Sequence, residues 1–192
     1  PEDSLSRAEA VAMLARLSVD EQGNLLYSGA PGTGGFSDVK RGDWYAPYVA
    51  FAKRYGIANG YLDGTFRPEQ PVSRAELVKL IASYFTVEGG TPPFPDVPGG
   101  HWAAEVVSFA AEEGWVSGYP DGTFRPDAPV SRAEAVKILN HALDRRAGER
   151  AAALPFTDVE KGHWACDEIR EAAVSHIYRK SGEGETWLTY ER

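Results

Sequence analysis

Apolar residues recur at helical spacing in three stretches, each opened by the same tetrad: Ser6-Arg7-Ala8-Glu9, Ser73-Arg74-Ala75-Glu76 and Ser131-Arg132-Ala133-Glu134. The spacing predicts helices over about 7–17, 74–86 and 132–144. Their core-facing stripes would be Val11, Leu14 and Leu17, then Val78, Ile81 and Phe85, then Val136, Leu139 and Leu143. Each tetrad reads as a capping box, in which the serine hydroxyl accepts from the glutamate N–H and the glutamate side chain reaches back to the serine N–H. Arg7, Arg74 and Arg132 run against the helix dipole, which disfavours a cation in the first turn by about 0.3–1 kcal/mol. A hydrogen bond to a charged group returns about 1.5–3 kcal/mol, so one carboxylate reverses that balance. It could belong to the protein, making each arginine a structural clip. The motif alone favours that reading; the carboxylate could instead belong to an anionic ligand held by the guanidinium fork and the free N–H groups of the helix start, and the two can coexist.

A second unit alternates with the first. Phe36-Ser37-Asp38-Val39, Phe94-Pro95-Asp96-Val97 and Phe156-Thr157-Asp158-Val159 each precede a tryptophan, Trp44, Trp102 or Trp164, six residues beyond the aspartate. A short helix is expected to begin at each tryptophan, which reads as a core residue with one exposed edge. Asp43, His101 and His163 fall at or beside its cap, which is a simpler role for the histidines than catalysis or ligation. The first of these helices should stop at Gly56 and the last near His176 or Ile177.

Gly60-Tyr61-Leu62-Asp63-Gly64-Thr65-Phe66-Arg67-Pro68 and Gly118-Tyr119-Pro120-Asp121-Gly122-Thr123-Phe124-Arg125-Pro126 form the third recurring element. An Asp-Gly pair between aromatics signals a tight turn, with Tyr and Phe as a small apolar lid and backbone amides at the tip. Asp63 and Asp121 are turn formers first, and Gly64 and Gly122 would let a ligand approach the backbone closely.

The repeat is about 60 residues long: 58 separate Arg74 from Arg132 and Phe36 from Phe94, and 62 separate Phe94 from Phe156. A glycine-rich connector over 18–35 lengthens the first interval to 67. In it Leu25, Leu26 and Tyr27 pack or pair as a short strand, and the tip from Gly29 to Gly35 is expected to be mobile. Residues 1–5 correspond to 68–72, so the chain begins inside a repeat. After Trp164 no Asp-Gly loop and no fourth tetrad follow.

These observations predict a mainly α fold: three pseudo-threefold helix-loop-helix repeats around a central three-helix bundle, with short turns or strands in the loops. A single domain over 1–192 would comprise 1–35, full repeats 36–93 and 94–155, and a closing half-repeat 156–192 whose helix packs beside the first.

Composition narrows the chemistry. With 43% hydrophobic and 25% charged residues the chain is an ordinary folded one, and no apolar run is long enough to insert in a membrane. A net charge of −8 disfavours nucleic acid and anionic membrane surfaces as partners. The single cysteine, Cys166, permits neither an intrachain disulfide nor a zinc cluster and reads as a small buried helix residue. No catalytic residues, cofactor or metal site are indicated: the Asp-Gly turns lack the alternating oxygens of a calcium loop, and Glu9, Glu76 and Glu134 have a capping role. Pro1 is not an initiating residue, so a fragment or mature form is expected.

Phe-x-Asp-Val, His-Trp-Ala, Gly-Tyr-x-Asp-Gly-Thr-Phe-Arg-Pro and Ser-Arg-Ala-Glu, in this order, resemble the S-layer homology (SLH) domain as a triplet. Serine here replaces the family's usual threonine before Arg-Ala-Glu. The altered end, with Ile177-Tyr178 and Trp187, resembles a variant at the C-terminus of clostridial-type surface proteins. The resemblance implies a non-catalytic module at the bacterial surface, anchoring an exported protein without a covalent bond. The implied ligand is a secondary cell-wall polysaccharide bearing pyruvate ketals, bound in grooves between repeats. It implies ligand contacts from Arg7, Arg74 and Arg132, from sugar stacking on Trp44, Trp102 or Trp164, and at Asp63, Gly64, Asp121 and Gly122. Up to three sites are expected, unequal, with the one between the chain's two ends the weakest. Two alternatives stay open: diamine-modified peptidoglycan, read mainly by Asp63, Asp121 and the Asp of each Phe-x-Asp-Val, and lateral self-association in a surface lattice.

Overall fold

The computed structural model describes residues 1–29, 32–145, 154, 156–174, 176–181 and 184–190. The connector tip therefore lies partly outside the described residues, at 30 and 31. The fold is mainly helical and follows the sequence repeat, and the chain divides into two compact units, one of 4–88 with 125–130, the other of 1–3, 89–124 and 131–192.

In the first unit α1 (Arg7–Leu17) packs on α2 (Ala46–Arg54) and α3 (Arg74–Ala82). The connector forms one bridge, Val19 to Leu25, and a 3-10 turn over Leu26–Gly29. The residues just before the tetrads close a ring of backbone hydrogen bonds: Val72 N–H donates to Leu5, Val130 to Val72 and Leu5 to Val130, at 2.9, 3.0 and 2.9 Å. All three side chains are fully buried, so the ring is sealed from competing water.

In the second unit α5 (Arg132–Ala142) packs on α6 (Cys166–Ala173), preceded by α4 (Ala104–Glu112). An antiparallel hairpin follows, β1 (His176–Ser181) with β2 (Gly184–Tyr190), irregular between Ile177 and Tyr178. It corrects the expectation that the helix reaches His176: α6 ends at Ala173, and Val174 turns extended at ψ 119°.

The stripes are shorter than the pattern predicts. Val11, Leu14, Val78 and Ile81 are buried, but Leu17, Phe85 and Leu143 are exposed. Ser18 donates its hydroxyl to the Leu14 carbonyl and Ser83 to the Leu80 carbonyl, closing α1 and α3 before a further turn is covered. In α5 the buried face is Ala133, Ala135, Ile138, Asn140 and Ala142, leaving Val136 and Leu139 half-buried. Asn140, a polar residue to the pattern, donates to the Glu168 carbonyl at 3.0 Å and to its carboxylate at 2.8 Å and turns that face toward α6.

His141 stands next to it, with Nε2 3.3 Å from the Glu168 carboxylate and Nδ1 3.1 Å from the Gly114 carbonyl. The Glu168 hydrogen bond raises the His141 pKa above its ordinary 6.5. Glu168 is burdened by burial, yet its pKa falls below 4.5 because of its bonds to His141 and Asn140. His141 stabilisation is complete below 6.5 and is lost as pH rises through its raised value. Glu168 stabilisation is present above 4.5 and is lost as pH falls through its lowered value. His141→Gln is thus expected to lower the melting temperature most between about pH 4.5 and 6.5, and to converge on the parent at alkaline pH. A pH-independent deficit in paired melting curves would refute this.

Candidate ligand-binding site

All three capping boxes form, with the serine N–H on the glutamate carboxylate at 2.9 Å and the glutamate N–H on the serine hydroxyl at 3.2 Å in each copy. The two N–H groups between serine and glutamate are also satisfied, from far along the chain. Arg7 and Ala8 donate to Gln70 and Pro68, Arg74 and Ala75 to Ala128 and Pro126, and Arg132 and Ala133 to Asp3 and Pro1. This corrects the expectation of free helix-start amides: nothing at these three termini remains for an anion except the arginine side chains.

Arg7 is 7% exposed and held on several sides. Its Nε–H donates to the Phe66 carbonyl at 3.0 Å and its Nη1 to Glu76 at 2.8 Å. Its guanidinium carbon lies 4.7 Å from the Tyr61 ring centre and 5.0 Å from that of Phe66. The same Glu76 oxygen accepts the Tyr61 hydroxyl at 3.1 Å, while the second caps α3 through Ser73. Glu76 therefore joins a helix cap, a guanidinium and a loop, which its capping role alone did not reveal. The internal-carboxylate reading holds for Arg7. Its Nη2 has no hydrogen-bond partner among the described residues.

The Asp-Gly loop is clamped at its base. Both Asp38 oxygens accept backbone N–H groups, from Phe66 at 2.8 Å and Arg67 at 2.7 Å, and Asp96 accepts from Phe124 at 2.9 Å in the second copy. The Phe-x-Asp-Val aspartate thus acts on a loop 28 residues later, a role invisible in the motif. Phe66 and Phe124 are core residues rather than a lid, each 5.4 Å from its partner ring, Phe36 or Phe94. At the tip Asp63 accepts from the Thr65 N–H and hydroxyl and from Arg67 at 2.8 Å. Those bonds, first the Thr65 hydroxyl and then Arg67, pull its pKa down to about 2. Asp121 makes the same pair of bonds with Thr123. Gly64 and Gly122 stand exposed, with open space where a side chain would be.

The tryptophans are not core residues. Trp44, Trp102 and Trp164 are 54%, 53% and 54% exposed, because each lies in the turn before its helix, which starts two residues later at Ala46, Ala104 and Cys166. His101 and His163 serve that turn, their Nδ1 atoms accepting the N–H of Ala103 and Ala165 at 3.1 Å. Trp44 lies edge-on to Tyr45 and Tyr48. Burial, with the carboxylates of Asp43, Glu69 and Asp38, pushes the Tyr45 hydroxyl up to about 12. Trp164 donates to Glu2 at 3.3 Å, with the Lys137 ammonium 5.9 Å from its ring.

One constellation is thus assembled within the first unit: Arg7, Tyr61, Asp63, Gly64, Arg67 and Glu76. Arg74 is buried like Arg7, whereas Arg132 is exposed. The copies are unequal.

The family model of the S-layer homology domain matches residues 35–78 and 93–136. The chain belongs to the S-layer homology family. It is 34% identical over 201 residues to Cell surface glycoprotein 1 of Acetivibrio thermocellus, covering 98% of this chain and 8% of that protein. To the Cellulosome-anchoring protein of the same species it is 33% identical over 192 residues, covering 96% and 42%. To S-layer protein EA1 of Bacillus anthracis it is 43% identical over 110 residues, covering 57% and 12%. The chain spans less than half the length of these relatives. It is an SLH module of the bacterial cell surface. Among its described residues no helix is long and apolar enough to cross a membrane.

Proposed function

We propose that this SLH module is non-catalytic and anchors a surface protein to the cell wall by binding an acidic secondary polysaccharide, with a pyruvate-ketal carboxylate as the recognised group. The observation that supports this reading is the Arg7 guanidinium, oriented by its Nε and Nη1 hydrogen bonds 4.7 Å from the Tyr61 ring centre, with Nη2 uncommitted among the described residues. A prepaid guanidinium orientation favours a planar carboxylate over a neutral sugar. Exposed Trp44, Trp102 and Trp164 offer faces for sugar rings, and Gly64 and Gly122 leave the loop tips uncovered. Asp38 and Asp63 are each committed within the loop, which favours the arginines over the carboxylates as ligand groups.

The test is co-sedimentation of the module with cell walls before and after acid extraction of the secondary polysaccharide, with Arg7→Lys and Arg74→Lys alongside. Lysine keeps the charge but not the fork, and melting curves confirm folding. Extraction is expected to abolish binding, and the paired substitutions to weaken it about tenfold or more, the worth of one charge-assisted hydrogen bond. Undiminished binding to extracted walls would refute the polysaccharide reading.

A further inference from the structure

Two non-glycine residues at the loop ends take left-handed backbone, Arg67 and Arg125, both at φ 58°. Glycine is the residue that accepts such a φ without strain, and the Arg67 N–H bond to Asp38 would be made equally well by glycine. What arginine adds is its side chain. In the free protein that side chain pairs with Asp63 at 2.8 Å, an exposed pair of the kind that adds little stability, and lies 3.9 Å from the Tyr61 ring centre. Arg7 lies over the same ring, so the two guanidinium centres are less than about 9 Å apart.

Their attachments differ. Glu76, the partner of Arg7, is fixed by the Ser73 N–H and the Tyr61 hydroxyl and cannot leave without opening a helix cap. Asp63 is fixed through its other oxygen, by the Thr65 N–H and hydroxyl, and keeps its place whether or not Arg67 stays. Opening the pair also gives up the long 3.3 Å bond from Arg67 Nε to the Thr65 hydroxyl, but the Thr65 N–H and hydroxyl bonds to Asp63 need not break.

We propose that Arg67 is the exchangeable cation of this site: it leaves Asp63 and turns its guanidinium onto a carboxylate of the wall glycan, while Arg7 stays tied to Glu76. This rests on the acidic-glycan reading above. Asp63 then acts as a built-in competitor that sets affinity, and Tyr61 as the platform that keeps the guanidinium in place.

The probe is a methyl hexosaminide carrying a 4,6-pyruvate ketal, titrated calorimetrically against its 4,6-isopropylidene analogue, in which a methyl replaces the carboxylate. Asp63→Asn, made together with Asp121→Asn, is expected to tighten ketal binding about three- to tenfold and to leave the isopropylidene analogue unchanged. Arg67→Gly with Arg125→Gly is expected to weaken the ketal about tenfold or more without lowering the melting temperature, since glycine relieves the positive φ. A purely structural Arg67 would give the reverse, a lower melting temperature with unchanged binding. A parent protein that prefers the ketal, combined with an Asp63→Asn variant that binds it no tighter, overturns the exchange alone. A parent that does not distinguish the two probes overturns the acidic-glycan reading and the exchange with it.

Discussion

Glu76→Ala is expected to destabilise the protein by about 3 kcal/mol, more than the roughly 1 kcal/mol attributable to a lost helix cap. Three donors lose their acceptor at once: the Ser73 N–H, the Tyr61 hydroxyl and Arg7 Nη1. Arg7 makes the loss severe, because its side chain is 9% exposed and would keep its charge without the carboxylate that balances it. Partial exposure of Glu76, at 23%, keeps the figure below that of a fully buried pair. Glu76→Gln should fall between the parent and alanine, since an amide has one acceptor oxygen where the carboxylate uses two. Denaturant titration of the three proteins measures this directly. A cost near 1 kcal/mol for alanine would mean that the cap alone matters.

Gly60→Ala is the second large effect. The position has φ 69°, and an added Cβ would lie 2.3 Å from the Phe36 ring and 2.7 Å from the Thr65 carbonyl oxygen. The backbone conformation costs about 1–2 kcal/mol for an L side chain, and the overpacking about 1–3 kcal/mol more. The loop cannot yield easily, because the Thr65 carbonyl accepts the Tyr61 N–H at 2.8 Å and Asp38 clamps the next two residues. Gly118 is in the same position in the second copy, 2.6 Å from Phe94 and 2.9 Å from the Thr123 carbonyl, and should respond alike. Gly64→Ala separates the two contributions: φ is 79° but nothing lies within 4 Å, so only the backbone cost remains. Equal unfolding free energies for Gly60→Ala and Gly64→Ala would rule out the close approach as the cause.

Much of the fold was legible because it is local. A capping box lies within four consecutive residues, and α1 begins and ends where caps and periodicity put it, at Arg7 and Leu17. The internal partner of Arg7 could be expected in kind, but not in identity, since Glu76 lies 69 residues away. The same holds for Asp38, whose motif shows a recurring spacing to a tryptophan but which acts on Phe66 and Arg67. The tryptophans misled because apolarity predicts burial on average, whereas the turn before each helix holds these rings outward. In α5 the predicted stripe of Val136, Leu139 and Leu143 gives way to a face that includes Asn140, a polar residue that two hydrogen bonds to Glu168 let be buried.

By itself the sequence determined the repeat, its helical elements and the caps that start three of them, because each depends on residues a few positions apart. Only the tertiary structure decided that distant carbonyls satisfy the helix-start amides, that Leu5, Val72 and Val130 close a ring, and that Arg7 is buried against Phe66 and Glu76. A hydrogen-bonding group carries no mark of its partner. Which carbonyl, carboxylate or solvent molecule it meets is settled only when segments far apart in sequence are packed together and water is removed from between them.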